Sequence, residues 1–204
     1  MGRMLVAIVL AAGESTRMGR PKALLPDPDG RPFVARLVRT LVDAGVRDVI
    51  VVTGSEHAGI AAALTADRLP VAPTLVNNPD PSRGQLSSLW AGLDAAAPGA
   101  EAALVTLVDV PMVRPATVRR VIEVWTDTRA PIVRPAIGER HGHPVLFDGA
   151  LFDELRRAPL AGGAKTVVRA HAARVVNVPV DDEGCLVDVD TPGEYEAMKK
   201  GRIT

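Results

Sequence analysis

From Leu5 to Leu10 the chain is apolar without interruption (LVAIVL). Such a run suits a parallel strand covered on both faces, and the Gly13 just beyond it favours a strand over a buried helix. The period then changes. Phe33, Val34, Leu37, Val38, Leu41 and Val42 recur at helical spacing, with Arg36, Arg39 and Asp43 turned away and Gly45 suited to the stop, so an amphipathic helix is predicted. The two signals keep alternating: Asp48 to Thr53 reads as a strand, His57 to Ala66 as a short helix, and Thr74 to Asn77 as the core of a third strand. Leu86, Leu89, Trp90 and Leu93 mark a helix closed by Pro98 and Gly99, and Ala102 to Val108 is another buried strand. Val118, Val121, Ile122 and Trp125 form the inner face of a helix from about Pro115. Both tryptophans are thereby expected in the core.

The second half is less regular. Pro131 to Pro135, a turn over Gly138 to Gly142, and Pro144 to Phe147 predict a hairpin or crossover that covers the sheet's end as a lid. Ala173 to Pro179 and Cys185 to Asp190 predict two further strands around a turn at Asp181 to Gly184, before a terminal helix from near Thr191. Strands alternating with helices argue for an α/β fold: one domain over residues 1–204, a Rossmann-like, open, mostly parallel sheet with helices on both faces. Ligands of such sheets lie outside the carboxyl ends of the strands.

Composition agrees with this and narrows the chemistry. With 204 residues, 47% hydrophobic and 24% charged, the chain fits an ordinary globular domain. Lys plus Arg and Asp plus Glu both total 24, so the overall charge favours neither nucleic acid nor an anionic membrane, and any anion site must be local. Cys185, the single cysteine, makes no intramolecular disulfide and reads as a small buried hydrophobe. No leader-like segment opens the sequence, and its apolar runs fall well short of the roughly 20 residues that a membrane-crossing helix needs. A soluble, cytoplasmic protein is expected.

Local charge appears directly after the first apolar run, in LAAGESTRMGRPKALLP, Leu10 to Pro26. A dinucleotide fold would want G-x-G-x-x-G here and a Walker loop G-x-x-x-x-G-K-[ST]; Gly13 and Gly19 fit neither spacing. What remains is a small-residue turn, Ala11-Ala12-Gly13, where backbone can approach a ligand, followed by Arg17, Arg20 and Lys22, whose charges suit phosphate oxygens. A surface loop with solvated arginines would look the same. Asp109 follows a buried strand and is expected at the carboxyl edge, beside this loop; in isolation it also reads as a turn residue before Pro111. Asp188 and Asp190 precede the last helix and would share a strand face, and Asp190 alone also reads as a helix cap. Gln85, Ser87 and Ser88 open a helix and either meet a base or ribose or act as ordinary caps. His141 and His143 alternate like strand neighbours, but no cysteine or further histidine lies at metal spacing, so zinc is not expected.

The string L-A-A-G-x-S-x-R-M-G-x-P-K resembles the signature of the MobA-like nucleotidyltransferases, specifically their molybdenum cofactor cytidylyltransferase branch. The similarity continues in order through Gly84–Leu93 (GQLSSLWAGL), Asp109–Pro111 (DVP), Gly142–Phe147 (GHPVLF), Gly163–Lys165 (GAK) and Asp188–Pro192 (DVDTP). Two positions depart from the branch, which often has Asp-Gln-Pro for Asp109-Val110-Pro111 and Gly-Ala-Arg for Gly163-Ala164-Lys165. The first leaves the carboxylate intact, while the second exchanges a bidentate cation for a point charge.

The resemblance implies a nucleotide-diphospho-sugar-transferase type of fold and a Mg²⁺-dependent transfer of CMP from CTP to the phosphate of molybdopterin, with release of pyrophosphate. It implies catalytic roles for Arg17, Lys22 and Asp109, and metal ligation by Asp109 and Asp190, with Asp188 the competitor. Substrate contacts would come from Leu10, Ala11, Ala12, Gly13, Gly84, Gln85, Ser87, Ser88 and His143. GTP, a sugar or polyol phosphate acceptor, and a non-catalytic nucleotide-binding or cofactor-delivery protein that meets a molybdenum enzyme transiently are the alternatives. No proton-abstracting base is expected, because a phosphate nucleophile is already anionic.

Overall fold

A computed structural model describes residues 4–201, so residues 1–3 and 202–204 of the expected domain lie outside the described residues. The apolar runs form parallel strands β1 (Leu5–Ala11), β2 (Asp48–Thr53), β3 (Thr74–Asn77) and β4 (Ala102–Leu107). They alternate with helices α1 (Phe33–Asp43), α2 (His57–Ala66), α3 (Gln85–Ala95) and α4 (Pro115–Thr128). In β1, Ile8 lies opposite Ile50 of β2 on one side and Val105 of β4 on the other.

Successive residues of β1 serve opposite layers. Ala7, Val9 and Ala11 pack with Phe33 and Leu37 of α1, Ile60 of α2 and Trp125 of α4. Val6, Ile8 and Leu10 pack with Leu86, Leu89 and Leu93 of α3. Both faces of the strand are covered, which is why the run shows no polar alternation. Burying a side chain such as Leu37 or Ile8 contributes about 1.5–3 kcal/mol, and this packing, more than helix propensity, holds the layers together.

The second half departs from expectation in two places. Here β5 (Ile132–Ile137), β6 (Arg140–His141) and β7 (Val145–Asp148) form no lid; they extend the same sheet. Strand β7 pairs antiparallel with β4 and β5, and β5 pairs parallel with β8 (Val175–Pro179). The order is β3-β2-β1-β4-β7-β5-β6, with β8 attached to β5. The reason is burial: Ile132, Val133, Leu146 and Phe147 are enclosed and would be exposed in a flap. Between β7 and β8, the short helices α5 (Phe152–Arg157) and α6 (Lys165–Ala170) contribute Leu155 and Val167 to the α3 layer.

The second departure is Cys185 to Asp190, which forms no strand. A tight turn over Glu183–Cys185 leads into an irregular strap. Its backbone bonds go to loops: the Leu186 N–H donates to the Glu183 carbonyl, the His143 N–H to the Cys185 carbonyl, and the Val189 N–H to the Asp109 carbonyl. The strap is anchored by buried Asp182, which accepts from the Arg114 backbone N–H and the Thr117 hydroxyl. The terminal helix α7 (Pro192–Lys199) then starts at Thr191 with a reciprocal Thr191–Glu194 cap. Cys185 is buried, as is Trp125; Trp90 is only partly so and donates its indole N–H to the Leu155 carbonyl, and Ile122 is also only partly covered. No helix among the described residues is long and apolar enough to cross a membrane.

Candidate active site

β1 delivers the chain to the carboxyl edge of the sheet, and two short turns fold the following loop back on itself. The first, Thr16–Met18, is bracketed by left-handed residues, Ser15 (φ 53°) and Gly19 (φ 69°), and is pinned by buried Met18. The second, Lys22–Leu24, is pinned by buried Ala23. The Ser15 hydroxyl accepts the Lys22 backbone N–H at 3.0 Å, tying the two turns together. Gly54, at the end of β2, lies so close that a Cβ there would stand 2.7 Å from the Ala12 carbonyl oxygen, so a side chain would push the loop off the edge.

The loop aims its cations at carboxylates that arrive from far along the chain. Lys22 Nζ lies 2.8 Å from Asp109 Oδ2 and 2.5 Å from Asp190 Oδ1. Arg17 Nη2 lies 2.7 Å from Asp190 Oδ2. The strap explains the meeting. Its Val189 N–H bonds the Asp109 carbonyl, so Asp188 and Asp190 flank that bond; Asp190 turns to Lys22 and Arg17, while Asp188 lines a wider cavity. The expectation that both share a strand face is corrected, because the segment is not a strand. Asp190 is also not the helix cap: Thr191 takes that duty, leaving the Asp190 carboxylate for the cations.

Burial opposes the charge on Lys22, but the hydrogen bonds and charges of Asp109 and Asp190 outweigh it and hold the ammonium above its ordinary range. The hydrogen bond from Lys22, aided by Arg17, keeps Asp190 below the usual carboxylate value. Asp188 is raised, through partial enclosure and the neighbouring Asp109 and Asp190. Asp109 Oδ1 is buried with no hydrogen-bond partner among the described residues.

Two adjoining hollows open at this edge. A narrow cleft of about 140 Å³ is lined by Ala12, Gly13, Ser15, Lys22, Ser88 and Asp109, among others. A wider cavity of about 680 Å³ is lined by Arg134, His141, His143, Lys165, Arg169 and Asp188, among others. Leu10, Gln85 and Leu107 face both, so the hollows are neighbours across these three residues. Gly84 (φ 96°) starts α3 beside the cleft with no side-chain cap. Ser87 and Ser88 are buried, and their hydroxyls accept from Asn78 Nδ2 at 2.9 and 3.0 Å; Gln85 alone of the three is exposed. His143 is held against the strap, and Gly142 permits this, since a Cβ there would lie 2.3 Å from the Cys185 carbonyl oxygen. Burial pulls the His143 imidazole below its ordinary pKa, toward the neutral ring.

The structure thus brings Arg17, Lys22, Asp109 and Asp190 together and aligns Leu10, Ala12, Gly13, Gly84, Gln85 and Ser88 on the cleft wall, while Ala11 is buried at the end of β1. Sequence reasoning missed Arg134 and Arg169, single charges in mixed segments that carry no periodic signal. Val110, one of the departures from the motif, is buried and faces neither hollow. Chemically, the cleft offers Lys22 and Asp109 to a ligand, and the ion pairs of Lys22 and Arg17 hold Asp190 next to them. Among the described residues no group of three or more His, Cys, Asp or Glu side chains is placed to hold a metal. A divalent ion bound at Asp109 and Asp190 would therefore take its remaining ligands from a substrate, the usual magnesium arrangement.

The model of the MobA-like NTP transferase domain matches residues 7–175; the strap that carries Asp190 lies beyond that match. A protein named "Probable molybdenum cofactor guanylyltransferase" from Mycobacterium avium is 30% identical over 97% of this chain and 96% of its own length. A nicotine blue oxidoreductase from Paenarthrobacter nicotinovorans is 32% identical over 90% of this chain and 91% of its own. Among solved structures, Rv0371c of Mycobacterium tuberculosis superposes with a TM-score of 0.78 at 32% identity, covering 98% of this chain and 99% of that one. A structure of Rv0371c in complex with manganese superposes with a TM-score of 0.74 at 29% identity, covering 98% and 100%.

Proposed function

We propose, from the premise that this chain belongs to the MobA-like NTP transferase family, that this nucleotidyltransferase moves CMP from CTP to the phosphate of molybdopterin. Pyrophosphate is released and a cytosine dinucleotide form of the cofactor results. One observation carries the reading: Lys22 lies between Asp109 and Asp190 at the sheet's carboxyl edge, beside a buried Asp109 oxygen that has no partner among the described residues. That donor set suits a divalent metal shared with a triphosphate.

The chemical problem is charge. Each pair of like unit charges about 4 Å apart costs roughly 4 kcal/mol at an effective dielectric of 20, and a phosphate approaching a triphosphate makes several such pairs. In this reading Lys22 and Arg17 bind phosphate oxygens and stabilise the charge that grows on departing pyrophosphate. Asp109 and Asp190 hold Mg²⁺, which when bound supplies Lewis-acid neutralisation of the triphosphate. Leu10 to Gly13 and the start of α3 at Gly84 and Gln85 receive base and ribose. At Gly13 a Cβ would meet no protein atom within 4 Å, so close approach of the ligand, and not packing within the chain, would explain the glycine. Lys165 and Arg169, in the wide cavity, attract the anionic acceptor, and His143 lines its pocket. No residue abstracts a proton: the acceptor oxygen is already ionised, and catalysis is positioning and electrostatics.

CTP is preferred on the order of motifs from Leu10 to Pro192. GTP is the second reading, favoured by the name of the Mycobacterium avium relative. Pyrophosphate release with each triphosphate, given molybdopterin or a sugar phosphate, decides between them. Activity with CTP and molybdopterin is expected; activity only with GTP would establish the second reading, and activity only with a sugar phosphate would remove both. Titration calorimetry of CTP and GTP with and without Mg²⁺ tests base and metal together.

A further inference from the structure

Groups that nucleotidyl transfer must use separately are clasped together in this chain. The Lys22 ammonium bridges one oxygen of Asp109 and one of Asp190, and Arg17 takes the other oxygen of Asp190. A magnesium ion bound by the same carboxylates needs their oxygens at about 2.0–2.1 Å. Ammonium and dication therefore compete for one space, and their like charges oppose joint occupancy. The backbone of Lys22 is fixed by the Ser15 hydroxyl and by buried Ala23 next to it, so exchange requires movement of the side chain alone.

We propose that Lys22 stands in for the divalent cation, filling the gap between Asp109 and Asp190 and barring metal from it until phosphate oxygens draw the ammonium away. Metal and triphosphate then load as a coupled pair, and by reciprocity each strengthens the binding of the other. The buried Asp109 oxygen, without a hydrogen-bond partner among the described residues, is the contact an ion gains once the ammonium has moved. The identity of the triphosphate rests on the nucleotidyl-transfer reading; the competition between ammonium and metal rests on the ion pairs alone.

The test is binding of Mn²⁺ to the full chain without nucleotide, read from the electron paramagnetic resonance signal of the free ion. Lys22→Met is expected to bind Mn²⁺ at least tenfold more tightly than the unaltered chain, since it leaves Asp109 without a counter-charge and Asp190 with Arg17 alone. Arg17→Ala, altered at an exposed side chain, serves if Lys22→Met does not fold; a gain of about threefold is expected, because Asp190 loses only one of two counter-charges. Equal or weaker Mn²⁺ binding in Lys22→Met, or in Arg17→Ala where the first variant is unfolded, overturns the proposal. The outcome is separable from the enzymatic reading. A chain that turns over nucleotide but whose variants bind Mn²⁺ no better keeps its activity and loses the stand-in; tighter Mn²⁺ binding without any turnover does the reverse.

Discussion

At the narrow cleft, lined by Lys22 and Asp109, the cations Lys22 and Arg17 are already matched by Asp109 and Asp190. Across the wall formed by Leu10, Gln85 and Leu107, the wide cavity presents Lys165 and Arg169 with no hydrogen-bonded or ion-paired acceptor among the described residues. Among the described residues Arg134 there donates only to Asn177. The first hollow has neutralised itself; the second keeps a net cationic rim, with Arg134, Lys165 and Arg169 against Asp188. A ligand entering the cleft must bring both signs of charge, as a metal-triphosphate does, whereas the cavity attracts any anion of suitable size. Selection among anions at the cavity therefore depends on shape and donor geometry more than on charge.

The strongest way to break this contrast is Asp109→Asn, which removes a charge that the cleft shares between Lys22 and the expected metal. Turnover should fall by on the order of 10²–10³, with an unchanged unfolding midpoint within a few degrees; pyrophosphate release and circular dichroism read the two. Next is Lys22→Ala. It should raise KM for the nucleotide and lower kcat by roughly 10–100-fold in kcat/KM, because contacts are lost before and during displacement. A change confined to thermal stability would make Lys22 structural.

Lys165→Ala probes the other side. It should raise KM for the acceptor about tenfold, the worth of one charge-assisted contact, and leave KM for the nucleotide unaltered, while Lys165→Arg should restore most of the loss. Equal effects on both substrates would mean that the two hollows do not divide the substrates. The smallest effect concerns pH. Asp190 is held below its ordinary value of 3.8 by Lys22 and Arg17, so its ionised form favours the folded chain. That stabilisation is complete above pH 3.8 and fades as pH falls through the lower folded value. Urea unfolding between pH 2 and 7 should show a shallower acid limb in Asp190→Asn than in the unaltered chain.

Legibility of the sequence followed from how each segment is packed. Asp48–Thr53, His57–Ala66 and Thr74–Asn77 have the bounds the pattern predicts, because each lies in a regular βα layer where burial and period coincide. The segment CLVDVD alternates as a strand should, yet its peptide groups bond to Asp109, His143 and Glu183 instead of to a ladder. Local alternation records which side chains are covered, not what the backbone pairs with. The same blindness hid Asp182, whose anchoring partners at Arg114 and Thr117 lie far away in sequence. Asp109 beside the Lys22 loop followed from its place after a buried strand, but the arrival of Asp190 was reachable only through motif resemblance, since nothing local relates a lysine near the start to an aspartate near the end.

The Val189-to-Asp109 bond also sets a schedule. β1 to β8 contain the whole sheet and are finished by Pro179, but Asp190 arrives afterwards, together with the buried Val189, Tyr195 and Met198. A finished sheet therefore does not complete the cluster of Lys22, Asp109 and Asp190, because its last member comes on a strap that docks onto an edge already built.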